Sequence, residues 1–179
     1  MRGLLYASTL AASTLAGCLA TLCVFAPAMA EDKPTAPVTY SEVPGPSLPL
    51  ALKLAQRALD ACQARGLAAS AAVVDSEGRL RVLLRADGAP KPPVAAPLKA
   101  AAAAHFDAPG SDMEPREKSD TAFAAEIAAH KDVYNPHAGS LPLHKDGKVF
   151  GGLGVADVPH ADADACVRAA LSAVAPELK

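Results

Sequence analysis

The chain has 179 residues, 51% of them hydrophobic, no tryptophan and a formal net charge of −2. That mild acidity gives no electrostatic footprint for nucleic acid. With 4% aromatic residues and abundant alanine, any core must be built from Leu, Val and Ala.

The beginning reads as an address rather than as fold. Arg2 is the only charge before Glu31, and the apolar stretch between them ends on Ala28-Met29-Ala30. This is the pattern of a secretory signal peptide over residues 1–30. Its removal would take away one positive charge, moving the net charge from −2 to −3, and leave about 149 residues, the size of a single domain. Two other readings share the segment. Leu15-Ala16-Gly17-Cys18 resembles a lipoprotein box that would anchor the protein at Cys18, and the apolar stretch is long enough to remain as an uncleaved anchor. The expectation is an exported protein, periplasmic or secreted, with no transmembrane segment after signal cleavage.

Residues 31–46 are rich in proline and polar groups and predict a flexible linker. Ser47 offers an N-cap and Pro49 suits a first helical turn. Leu52, Ala55, Leu59 and Cys62 then recur at helical spacing until Gly66 ends the run. Leu67 to Asp75 is short and apolar enough for a buried strand. Ser76-Glu77-Gly78 supplies a turn. From Arg79 to Arg85 the residues alternate, with Leu80, Val82 and Leu84 on one face. The Ala-rich run from Val94 to Phe106 favours helix, and Phe106 to Lys118 is polar and loop-like. A short helix is expected over Ser119 to Lys131. A second hairpin follows, turned at Lys145-Asp146-Gly147, and the chain closes on a helix whose acidic start suits the helix dipole. The order α-β-β-α-α-β-β-α predicts an α+β domain with one antiparallel sheet.

Gly147 to Asp157 packs four glycines into one segment. No Lys-Ser pair follows them, as a phosphate loop of the Walker type requires. Gly152 and Gly154 supply two positions of a dinucleotide fingerprint, but Asp157 stands in place of the third glycine, and the segment belongs to a hairpin. Glycine inside a strand marks a bulge or a close approach by another backbone. Packing space is the expected role.

The ordered segments Leu54 to Pro90, Leu98 to Ala104 and Gly139 to Val155, with a closing helix that contains Ala165 to Leu171, resemble the GlcG/HbpS-like family of haem-binding, so-called haem-degrading domains. The resemblance covers residues 47–179. It implies an α-β-α sandwich around one antiparallel sheet of four to five strands, assembly into dimers or larger homo-oligomers, and haem or a related ligand in some members. It also implies that the first and last helices share a face, so that Cys62 and Cys166 form a disulfide. From the residues alone, two buried free thiols fit as well as a bond. The chain departs from the family pattern at Pro92-Pro93, Ala102 and Ser140. It departs again at Ala156-Asp157, where the family has Ser-Gly.

Arg85 and Asp87 leave the first hairpin toward the Ala-rich helix that carries Lys99. Two cations near one carboxylate could hold an anionic group such as a haem propionate or an organic acid; a structural ion pair is the alternative. Haem also needs an axial ligand, for which His105 and His144 are the candidates. In His160-Ala-Asp162-Ala-Asp164, side chains two residues apart do not converge on a helix, so the acidic residues read as dipole partners. Ser140 lies near His137 and His144 in sequence, but no catalytic triad can be assigned without geometry. Three classes stay open: a protein binding haem or a small anionic ligand, a non-catalytic structural or accessory subunit, and an enzyme acting on haem or a small hydroxy- or keto-acid.

Overall fold

In the computed structural model, which describes residues 43–178, helix α1 (Leu48–Gln63) begins at Ser47, with Pro49 in its first turn. The segment expected to be a signal peptide and most of the Pro-rich stretch lie outside the described residues. The end of that stretch is packed, not free. Val43 and Pro46 are buried, Pro44 O accepts from Ser76 N at 3.0 Å, and Arg81 donates to Val43 O at 3.1 Å.

α1 buries Ala51, Leu54, Ala55, Ala58, Leu59 and Cys62. Leu52, expected on that stripe, is 42% exposed. It lies one position beyond Ala51, about 100° around the helix, and the small Ala51 and Ala55 let α1 settle on their side instead.

Strands β1 (Ser70–Asp75) and β2 (Leu80–Arg85) form the first hairpin. Its register slips after Val73: Val73 pairs with Val82, but Val74 pairs with Leu80. The extra residue turns Leu80 out of the expected face, leaving it 52% exposed while Val82 stays buried.

Three helices follow: α2 (Ala95–Phe106), α3 (Gly110–Ser119) and α4 (Thr121–Ala129). α3 replaces the expected loop. Its sequence hides it, because Pro115 lies inside and Met113 is its one buried large side chain. Met113 packs with Ala102, Ala103, Phe123 and Ile127, and that contact holds the turn sequence as helix. The cap of α4 is Asp120, whose carboxylate accepts from Ala122 N and Phe123 N, both at 3.0 Å.

Strands β3 (Ser140–Lys145) and β4 (Lys148–Ala156) make the second hairpin, and α5 (His160–Val174) ends in a short 3₁₀ turn, Ala175–Leu178. The four strands form one antiparallel sheet in the order β2-β1-β4-β3. The fold is α+β, with α1 and α5 on one face of the sheet and α2 on the other. Among the described residues, no helix is long and apolar enough to cross a membrane.

Ala71, Val73, Leu153 and Val155 point toward α1 and α5; Ala72, Val74 and Ala156 point toward α2. On the α2 side of β4, Gly152 and Gly154 leave no room for a side chain. A Cβ on Gly154 would collide with Ala96 O and lie 2.7 Å from Ala100 N; one on Gly152 would collide with Ala100 O. The backbone of α2 therefore rests directly on β4. This is the packing role expected of these glycines.

Candidate functional site

Because α2 sits so low on β4, Lys99, next to Ala100, is drawn into the body of the domain. It is 4% exposed, and its Nζ donates to Ala138 O at 2.7 Å. Burial pushes its pKa from 10.5 down to about 8, against the pull of the nearby Glu114 and Asp157 carboxylates.

Asp157 follows β4 at φ 75°, the left-handed region that asparagine, aspartate and glycine tolerate best. Its Oδ2 accepts from Ser70 Oγ at 2.5 Å. The residue that stands where the resembled pattern has glycine therefore combines a left-handed turn with a carboxylate. Ala102, another departure, is explained by its burial against Met113 and Phe123.

Lys99 and Asp157 line a cleft of about 480 Å³, with Lys91, Asn135 and His160 as its other polar groups and Ala95 and Val158 among its apolar ones. Beside it lies a second cavity of about 500 Å³ that includes Glu114 and Lys118. Glu114 lies between the two. Its carboxylate accepts from Ala138 N at 3.1 Å and from His160 Nδ1 at 3.0 Å. Burial pushes this carboxyl up, but the Ala138 amide, the His160 hydrogen bond and the imidazoles of His160 and His137 outweigh it and hold the pKa below its usual value. The rings of His137 and His160 stack at 5.2 Å, and His137 Nε2 lies 3.4 Å from Glu117.

The structure does not gather the expected trio of Arg85, Asp87 and Lys99 into one site. Arg85 and Asp87 line a different cavity, about 530 Å³, between the end of α1 and the end of β2. Arg85 is used locally, donating to Ala89 O and, at 3.1 Å, to Lys91 O, which folds the loop back on the strand. Neither Arg85–Asp87 nor Asp87–Lys99 forms an ion pair among the described residues.

His105 is half-exposed, stacked on Tyr134 at 4.6 Å and 3.9 Å from Glu126. His144 Nε2 lies 2.7 Å from Asp107. Neither is among the residues lining the Lys99 cleft. Asp162 pairs with Arg65 at 2.5 Å and Asp164 with Arg168 at 2.6 Å, so each aspartate serves an ion pair. Ser140 Oγ is buried without a hydrogen-bond partner among the described residues, close against Gly110, and forms no nucleophile–base pair. No group of three or more His, Cys, Asp or Glu side chains is placed to hold a metal ion among the described residues.

Glu114 and Asn135 lie in segments that carry no sequence motif. The signals that were readable are Asp157 in a glycine position and His160 at the start of α5.

The Lys99 pKa has a checkable consequence. The folded value of about 8 lies below the unfolded 10.5, so the unfolded state binds more protons between these pH values. The stability penalty is complete below pH 8 and is relieved as pH rises toward 10.5, by roughly 3 kcal/mol. Urea unfolding at pH 7 and 10.5 should show Lys99→Met losing about that much ground to the wild type over the interval. Parallel pH profiles would mean that Lys99 is not desolvated.

A family model described as "Haem degrading protein HbpS-like" matches residues 47–172. A double mutant of HbpS from Streptomyces reticuli is similar at 31% identity and a TM-score of 0.65, over 78% of this chain and 97% of that one. A second HbpS structure is 30% identical with a TM-score of 0.65, over 75% of this chain and 94% of that one. The structure of a PduOC–haem complex shares the fold at 20% identity and a TM-score of 0.66, over 72% of this chain and 94% of that one. No curated protein matches the chain.

Proposed function

The chain belongs to the haem-degrading HbpS-like family, and from that premise we propose that it is an exported binding protein that holds haem, or another small anionic ligand, in the Lys99 cleft. The carrying observation is a buried lysine beside a cleft of about 480 Å³. That volume falls within the roughly 300–1,000 Å³ of small-molecule sites. The donor set suits haem: Lys91 and Lys99 offer cations for propionates, His160 offers an imidazole, and Ala95 and Val158 offer apolar surface. A bound haem would supply a redox-active iron. The protein's part is to desolvate the ring, pair the propionates and orient a ligand to the metal.

Export is supported by the leader-like residues 1–30 and by the pairing of Cys62 with Cys166, since disulfides persist in oxidising compartments. We place it in the periplasm or outside the cell, as a homo-oligomer. One observation favours a second reading, an enzyme acting on a small keto-acid: an amine with a pKa of about 8 is partly unprotonated near neutrality and nucleophilic.

Haemin titration followed by visible absorption, with mass read by size exclusion, tests the binding reading. A saturable Soret shift at a fixed ratio per subunit is expected, with Lys99→Met weakening it. A folded oligomer with no saturable shift would make haem the wrong ligand and leave the accessory-subunit role.

A further inference from the structure

Among the five histidines, His160 combines three features of a preformed iron ligand. It lines the Lys99 cleft at the start of α5. Its Nδ1 faces both oxygens of Glu114, at 3.0 and 3.1 Å. With a carboxylate there, Nδ1 is the donor, which leaves Nε2 as the ring nitrogen that can meet a metal; a carboxylate partner of this kind fixes the tautomer and orients the ring. Behind the ring, His137 stacks at 5.2 Å and 25°, itself held near Glu117. The ring is therefore oriented from two sides while Nε2 has no partner among the described residues.

None of the other four histidines is among the residues that line the Lys99 cleft. Nε2 of His105, His137 and His144 lies within 4 Å of Glu126, Glu117 and Asp107 respectively. His130 Nδ1 bonds Glu126 O within its own helix turn. The cleft lining includes no Met, Cys or Tyr.

We propose that His160 Nε2 is the axial ligand to haem iron in the Lys99 cleft, with Glu114 as its positioning residue. The proposal rests on the binding reading above and takes the place of the expectation that His105 or His144 would serve, neither of which lines that cleft. It also gives a role to the start of α5 that dipole stabilisation leaves unused.

The test is haemin titration of the wild type and of His160→Gly, His160→Ala, Glu114→Gln, His105→Ala and His144→Ala, with circular dichroism confirming that each is folded. Loss of the ligand should move the Soret maximum and raise Kd at least about tenfold, and Glu114→Gln should raise Kd on the order of tenfold. Added imidazole should restore the wild-type spectrum to His160→Gly, which a purely structural role would not allow. His105→Ala and His144→Ala should match the wild type. If the wild type binds haemin and His160→Ala keeps its Soret maximum and Kd, the ligand assignment is wrong and the binding reading survives. No saturable shift in the wild type overturns both.

Discussion

Gly154→Ala is expected to destabilise the fold by about 1–3 kcal/mol, and Gly154→Val by more. The atoms in the way are backbone: Ala96 O and Ala100 N of α2. A flexible side chain could swing aside, but here the helix itself must lift from the sheet. Lifting α2 would also open Ala72, Val74, Ala96 and Ala100, so the lost packing adds to the strain. Lys99 rides on the same helix, and the haemin affinity should fall together with stability. Denaturant titration decides: a Gly154→Ala midpoint equal to the wild type would mean that α2 does not rest on β4 as closely as described.

The legible part of the fold was the part written in local chemistry. The two hairpins follow from alternating apolar residues and from turns such as Asp146-Gly147, both at positive φ. The Ala-rich α2 follows from propensity. The bulge after Val73 was not legible, because nothing in Leu80-Arg81-Val82 announces a register slip; it is set by pairing with a strand already held on its other side by β4. α3 escaped because one buried methionine gives no periodicity, and its helix is stabilised by contacts with α2 and α4 rather than by its own sequence.

The site was less legible than the fold for a related reason. Lys99 stood out as a second cation close in sequence to Asp87, but its neighbours come from far along the chain: Glu114 meets His160 across 46 positions, and Ser70 meets Asp157 across 87. Arg85 and Asp87 looked like partners of Lys99 because they precede it closely. The loop between them turns Arg85 onto Ala89 and Lys91 carbonyls instead. Proximity in sequence measured the wrong distance. Asp157 carried a usable signal, being an acidic residue where the family pattern has glycine, at a φ of 75°.

Replacing Cys62 and Cys166 together by alanine is expected to cost about 2–5 kcal/mol. The two residues are fully buried, their Cα atoms lie 5.3 Å apart, and the bond joins α1 to α5 across 104 positions. A loop of that length lies toward the upper end of the chain-entropy scale, near ~4.7 kcal/mol, and it removes freedom chiefly from the unfolded chain. The packing of α1 on α5 remains in the variant, so the fold should persist with a lower denaturation midpoint. α5 begins with His160, less than two turns before Cys166, so the bond also fastens the helix that carries the proposed iron ligand. Alkylation in denaturant, read by the mass of the peptides containing Cys62 and Cys166, gives the direct answer. Both should resist labelling until a reductant is added. Labelling of both without reductant would remove the bond, and with it the structural argument for an oxidising compartment.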